Sequence, residues 1–183
     1  METSIGRSRR RGHVGVDAPA KVARSPIVDL AIVLSSFAAL AHAVAVPSHL
    51  RTWPAAGIFF MALALAQAAF AVLLVRDRLS PAMTVAALWA TVGVLCLYVV
   101  SRTAGLPFSP QMSAHGGRLV AGQSISPRTP EGIGPLDIST LIAELLLVVV
   151  LLSVIDRRAR TRSANALAAV GVVLWTLGAS GVL

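Results

Sequence analysis

The sequence predicts an all-α fold, an integral membrane helical bundle of about five transmembrane helices. Five apolar runs are each long enough to cross a hydrocarbon core of about 30 Å as helices that rise about 1.5 Å per residue. The 183 residues are 56% hydrophobic and 13% charged, which leaves too little charge to cover the surface of a soluble domain. Residues 27–183 are therefore expected to form one membrane domain.

The predicted spans are bounded by residues that begin or end helices. Prolines flank the first three runs, as expected at helix ends. The first run also resembles a cleavable signal peptide, because a basic leader precedes it and Ala43-Val44-Ala45 lies near its end. Its full bilayer length favours an uncleaved helix. The predicted spans are residues 27–46, 55–75, 82–100, 138–155 and 164–183.

Basic residues predict the orientation of the chain. Twelve of the 16 Lys and Arg residues form three clusters at every second connection, and short cytoplasmic loops are enriched in these residues. We therefore expect the amino terminus in the cytoplasm and the carboxyl terminus outside. Residues 1–26 then form a basic cytoplasmic tail without fixed structure, and residues 102–137 form an outer loop rich in proline and glycine.

The charge pattern also predicts partners. A formal net charge of +8 favours contact with an anionic cytoplasmic leaflet. Nucleic acid is not expected, because the basic residues flank apolar spans and no aromatic-interleaved basic fold accompanies them. Small residues four apart, such as Ala62 and Ala66, let helices approach closely in lipid, so another membrane protein or a second copy of the chain is a further candidate partner.

Ionisable side chains at membrane depth are the candidate functional residues, because burying them costs a few kcal/mol or more unless they pair. His42 and Glu144 are predicted to lie about 6 and 9 Å below the outer surface. His49 follows His42 by two helical turns, and His115 lies in the outer loop near Met112. These side chains are the predicted ligand or metal candidates.

Three kinds of chemistry are open to these residues. Imidazoles with a carboxylate suit zinc or copper(II), and Met112 beside a histidine would suit copper(I). Alternatively, His42 and Glu144 respond to protons, or they form a structural network with Gln67 that joins helices by hydrogen bonds. Haem is not expected, because two axial ligands must face each other and His42 is the only histidine clearly inside a span.

Arg102 stands at the outer end of the third span, against the positive-inside trend, and therefore needs an acidic partner. Glu131 and Asp137 follow in the same loop and could provide a bidentate carboxylate. Such a pair would fold the loop over the bundle. No nucleophile elbow, phosphate loop or zincin motif is present, so an enzyme is not the favoured interpretation.

Two stretches carry a resemblance to a known family. The first, from His42 to Gln67, contains a His-x-x-x-Trp-Pro pattern, and the second reads SRTAGLPF from residue 101 to 108. With Glu131, Asp137 and Glu144, they resemble a family of small integral membrane proteins common in high-GC Gram-positive bacteria, which has no established activity. The resemblance implies a bacterial plasma membrane. It does not extend to Met112 and His115, which weakens a copper site built on them.

The sequence thus predicts a non-enzymatic membrane protein that binds a metal ion or small ligand at its outer face. His42, His49 and Glu144 are the predicted ligands, supported by a polar network. The alternative is an accessory or scaffold subunit of a larger membrane complex, whose polar residues only hold its helices together.

Overall fold

The computed structural model describes residues 24–103 and 134–181. Within these ranges the chain forms five helices and no strand, which confirms the predicted fold class. Each helix is long and apolar enough to cross a membrane. Residues 1–23 of the predicted tail and 104–133 of the predicted loop lie outside the described residues. The helices are α1 Pro26–Thr52, α2 Pro54–Val75, α3 Pro81–Thr103, α4 Pro135–Val154 and α5 Arg157–Ala179.

Consecutive helices run in opposite directions, with α4 at the centre of the bundle. A single residue, Trp53, separates α1 from α2, and these two helices pack along most of their length. Helix α4 packs against α1 and α3 and, more loosely, against α5, whereas α2 and α3 hardly touch. We call the end of the bundle where α1 meets α2 the Trp53 end, and the opposite end the Arg76 end.

The core is apolar and is built mostly by α4. Side chains on the outside of the bundle are also large and apolar; Leu40, Leu65 and Trp175, for example, are 65%, 66% and 72% exposed. Such exposure is expected where lipid rather than water surrounds the helices. The buried core residues are Ala31, Leu34, Leu88, Val92, Ala143, Leu147, Val148, Val150, Leu151 and Ile155.

Helices α1 and α5 extend furthest beyond the predicted spans, for local reasons. Helix α1 continues through Pro47 to Thr52, where the hydroxyl of Ser48 donates to the carbonyl of Ala45 over 2.9 Å. Helix α5 begins at Arg157, seven residues before the predicted start at 164, because the carboxylate of Asp156 caps its first turn.

The described arginines collect at the Arg76 end, which fits the bias of positive charge toward the cytoplasmic side of a membrane. Seven lie there and two, Arg51 and Arg102, lie at the Trp53 end. The α2–α3 and α4–α5 connections therefore lie at the same end of the bundle as Arg24. The seven arginines are Arg24, Arg76, Arg78, Arg157, Arg158, Arg160 and Arg162.

Candidate functional site

Three polar side chains from three helices meet inside the bundle. Nε2 of His42 on α1 lies 3.0 Å from Oε1 of Glu144 on α4. Nε2 of Gln67 on α2 donates to the same oxygen over 3.0 Å. His42, Gln67 and Glu144 are only 7%, 7% and 3% exposed. We call these three residues the polar cluster.

The local sequence brings the three helices close enough for these contacts. Small side chains on α1, including Ala38 and Ala41, are buried against the neighbouring helices, and small residues permit close helix approach in lipid. The hydroxyl of Ser35, fully buried on α1, donates to the backbone carbonyl of Gln67 over 2.8 Å. This hydrogen bond fixes the position of α2 beside the cluster.

The polar cluster lies further from the helix ends than the predicted spans place His42 and Glu144. His42 precedes the end of α1 by ten residues and Glu144 follows the start of α4 by nine, so both lie about 14–15 Å from the Trp53 end. The predicted first span ends at residue 46 and the predicted fourth span begins at 138, so the prediction places both residues nearer a helix end. Gln67 lies thirteen residues into α2, about 20 Å from the Trp53 end, and its side chain extends to Glu144.

The hydrogen bonds of the cluster are unevenly distributed. Both contacts are made to Oε1 of Glu144, and among the described residues no hydrogen-bond partner reaches its Oε2. Oε1 of Gln67 is buried and has no hydrogen-bond partner. A buried acceptor without a donor is unfavourable by about 1–3 kcal/mol. Oε2 of Glu144 and Oε1 of Gln67 can therefore accept a hydrogen bond from a further donor or contact a cation.

His49 lies outside the polar cluster, although the sequence predicts it as a ligand. Its Nδ1 lies 2.8 Å from the carbonyl oxygen of Ala45 in its own helix. The ring of Phe60 on α2 separates it from His42, with ring centroids 4.5 Å from His49 and 5.6 Å from His42. Phe60 thus covers the cluster on the side of the Trp53 end. Sequence reasoning missed this residue, because an apolar phenylalanine in a span carries no distinguishing signal.

A second polar contact joins α3 to α4 near the Trp53 end. A guanidinium nitrogen of Arg102 lies 3.5 Å from Oδ2 of Asp137, and the guanidinium also lies 5.4 Å from the centre of the Tyr98 ring. The same Asp137 oxygen accepts from the backbone amide of Gly134 over 2.9 Å, as in a capping box. This contact therefore holds the start of α4 and does not join the polar cluster.

The described residues do not assemble a metal centre. Within residues 24–103 and 134–181 there is no group of three or more His, Cys, Asp or Glu side chains that could hold a metal ion. His115, Met112 and Glu131 lie outside the described residues, so a zinc or copper site that includes them stays a prediction. His42 and Glu144 alone provide two of the four ligands usual for zinc.

Comparisons of the chain with protein families, with curated proteins and with solved structures find no match. The resemblance to a membrane-protein family of high-GC Gram-positive bacteria therefore stays a prediction. The fold defines a class of protein. Its five apolar helices and its buried polar cluster fit a multi-pass membrane protein.

Proposed function

We propose that the protein is a multi-pass protein of a bacterial plasma membrane whose polar cluster binds and releases a proton. The convergence of His42 and Gln67 on one oxygen of Glu144, deep among apolar side chains, carries the proposal. A histidine and a carboxyl group in contact are the side chains best suited to exchange protons at physiological pH. Ionisable residues inside membrane bundles commonly mark proton or ligand pathways.

The charges of the pair explain why it would hold a proton. His42 and Glu144 have no net charge when they share one proton, as imidazolium with carboxylate or as imidazole with carboxylic acid. Loss of that proton leaves one negative charge in an apolar environment, which is unfavourable by several kcal/mol. A proton bound by the pair, or a cation that reaches the cluster, would cancel this charge.

Gln67 fits both states of the pair. Its side-chain amide donates to a carboxylate through Nε2, as in the observed arrangement. After a half-turn about its last bond, Oε1 would accept a hydrogen bond from a protonated Glu144, since an amide offers donors on one side and an acceptor on the other. This turn would also give Oε1, now without a partner, the donor that it lacks.

Infrared difference spectroscopy of the purified protein in lipid, recorded while the pH is changed, tests the proposal. We expect a band from the carbonyl stretch of a protonated carboxyl group that appears and disappears with pH and is lost in Glu144→Gln. Asp137→Asn is the matched control, because it removes a carboxyl group outside the cluster and should leave the band. A spectrum identical in wild type and Glu144→Gln would refute the proposal.

Binding of a metal ion is the second use that the sequence predicts for these residues. Elemental analysis of the same preparations distinguishes it from proton binding. Stoichiometric zinc or copper in the wild type, lost in His42→Ala and retained in His49→Ala, would replace the proton with a metal as the ligand of the cluster. Protein free of metal, together with the infrared band, supports the proton.

The orientation belongs to the same proposal: the Arg76 end lies in the cytoplasm and the carboxyl terminus outside. The seven arginines at the Arg76 end support it. A reporter enzyme that is active only outside the cytoplasm, fused after Leu183, should be active, and the same reporter inserted after Arg78 should be inactive. The reverse pattern would contradict the orientation.

A role as accessory subunit is favoured by one separate observation. Ser163 is the only buried residue among the described residues of α5, whereas α1 and α4 each bury seven. A helix so loosely attached to its own bundle can pack against a second membrane protein. Cross-linking through a cysteine at Gly171, in a Cys96→Ser background, tests this role; a membrane-protein partner captured there, and not through a cysteine at Gly93, would support it.

A further inference from the structure

A groove runs along the lipid-facing side of α1 and α2 from the Arg76 end toward the middle of the bundle. Its volume is about 490 Å³. Small side chains create it, because Ala39 and Ala71 are buried at its base while Ser36 and Ala68 are exposed at its rim. Arg76 lines the end of the groove at the helix terminus.

The groove combines an apolar channel with positive charge at one end. Branched side chains, including Ile32 and Val72, line its length, so it offers contacts to a hydrocarbon chain. A second guanidinium lies at the same end, since Arg24 donates to the carbonyl oxygen of Val75 over 2.5 Å. Arg24 also lies 3.7 Å from Asp29, which neutralises part of its charge.

Arg76 is the arginine available to a ligand. Its side chain is exposed and makes no hydrogen bond or ion pair with another residue in the part of the chain that the structure describes. A guanidinium binds phosphate oxygens through parallel hydrogen bonds, and arginines at the cytoplasmic boundary of membrane helices attract anionic lipid headgroups.

We infer that this groove binds one anionic phospholipid, with an acyl chain along α1 and α2 and the headgroup phosphate on Arg76. Charge complementarity selects the occupant: a zwitterionic lipid would fill the channel equally well but would bring a positive group toward Arg76 and Arg24. The site is independent of the polar cluster, since none of its lining residues belongs to the cluster.

Native mass spectrometry of the protein released from nanodiscs of equal phosphatidylglycerol and phosphatidylcholine tests the inference. The wild type should retain one phosphatidylglycerol in preference to phosphatidylcholine. Arg76→Gln should reduce that preference about tenfold, as expected for one charge-assisted hydrogen bond of about 1.5 kcal/mol. Arg158→Gln, at the same end but outside the groove, should leave the preference unchanged.

A second variant tests the channel itself. Ala68→Leu fills the groove from its exposed rim and should reduce retention of both lipids. Ala62→Leu makes the same change at an exposed position of α2 outside the groove and should leave retention unchanged. Circular dichroism shows whether each variant keeps its helices. The inference is wrong if the wild type retains no lipid, if Arg76→Gln retains phosphatidylglycerol as the wild type does, or if both leucine variants behave alike.

Discussion

Nε2 of His42 and Oε1 of Glu144 lie 3.0 Å apart although 102 residues separate them in the chain. Because the two residues belong to α1 and α4, their contact joins the amino-terminal helix pair to the carboxyl-terminal half of the bundle. Gln67 adds α2 through the same oxygen. The polar cluster therefore links three of the five helices, whatever it binds.

Replacement of His42 by alanine should destabilise the bundle by about 2 kcal/mol, since the buried carboxyl group loses one of its two hydrogen-bond partners and a cavity remains. Unfolding in increasing dodecyl sulfate, followed by circular dichroism, measures the loss. His49→Ala is the matched control on the same helix. It should lose less than about 1 kcal/mol, because His49 is half-buried and contacts only its own helix and Phe60. Equal losses in the two variants would mean that the cluster has no special structural role.

Replacement of Phe60 by alanine should expose His42 to reagents from the Trp53 end. The phenyl ring lies between the two histidine rings, so its removal opens the side of the cluster that it covers. Labelling with diethyl pyrocarbonate, followed by mass spectrometry, should show several-fold faster modification of His42. Phe59→Ala provides the comparison, since Phe59 contacts Phe60 but neither histidine. If His42 reacts at the wild-type rate in Phe60→Ala, another part of the bundle shields it.

The sequence predicts the number and type of helices well, because runs of apolar residues and the alternation of basic clusters follow directly from the bilayer's thickness and charge. It predicts less about the site. That His42 and Glu144 are candidates follows from their polarity in apolar spans, but the rotation of each helix decides which side chains meet. His49 and Phe60 show this limit: His49 lies two helical turns from His42 along α1, and the ring of Phe60 packs against both histidines, a contact that the sequence alone does not predict.

The ends of the helices are also hard to predict from the sequence, for a physical reason. The predicted first span ends at residue 46, before Pro47, since proline lacks an amide hydrogen. Helix α1 nevertheless continues to Thr52, where side chains of its last turn donate hydrogen bonds to its own carbonyls. Whether a side chain makes such a hydrogen bond depends on its rotamer, which the residue type alone does not determine. The shorter predicted span places His42 four residues from its end, whereas His42 lies ten residues before the end of α1.

Gly57 should not tolerate even a methyl group. It is buried near the start of α2, and a Cβ atom there would lie 2.6 Å from the backbone nitrogen of Leu50 on α1. Gly57→Ala should therefore force the two helices apart at the Trp53 connection and destabilise the protein by about 1–3 kcal/mol. Gly93→Ala is the control within α3, where a Cβ meets no atom within 4 Å; alanine there should be neutral or slightly stabilising. Thermal unfolding of both variants in the same detergent gives the comparison, and a Gly57→Ala protein as stable as Gly93→Ala would contradict the close approach.

The turn between α4 and α5 depends on Asp156. Its Oδ1 accepts from the amides of Arg158 and Ala159 over 2.9 and 3.0 Å, while the guanidinium of Arg160 donates to the carbonyl of Ser153 over 2.7 Å. Asp156→Ala should therefore destabilise the first turn of α5 by about 1 kcal/mol, which amide hydrogen exchange at residues 157–163 would detect as faster exchange. Asp156→Asn should restore most of the protection, because an asparagine side chain also caps helices. Equal protection in the alanine and asparagine variants would show that the packing of α5, and not its cap, sets where the helix begins.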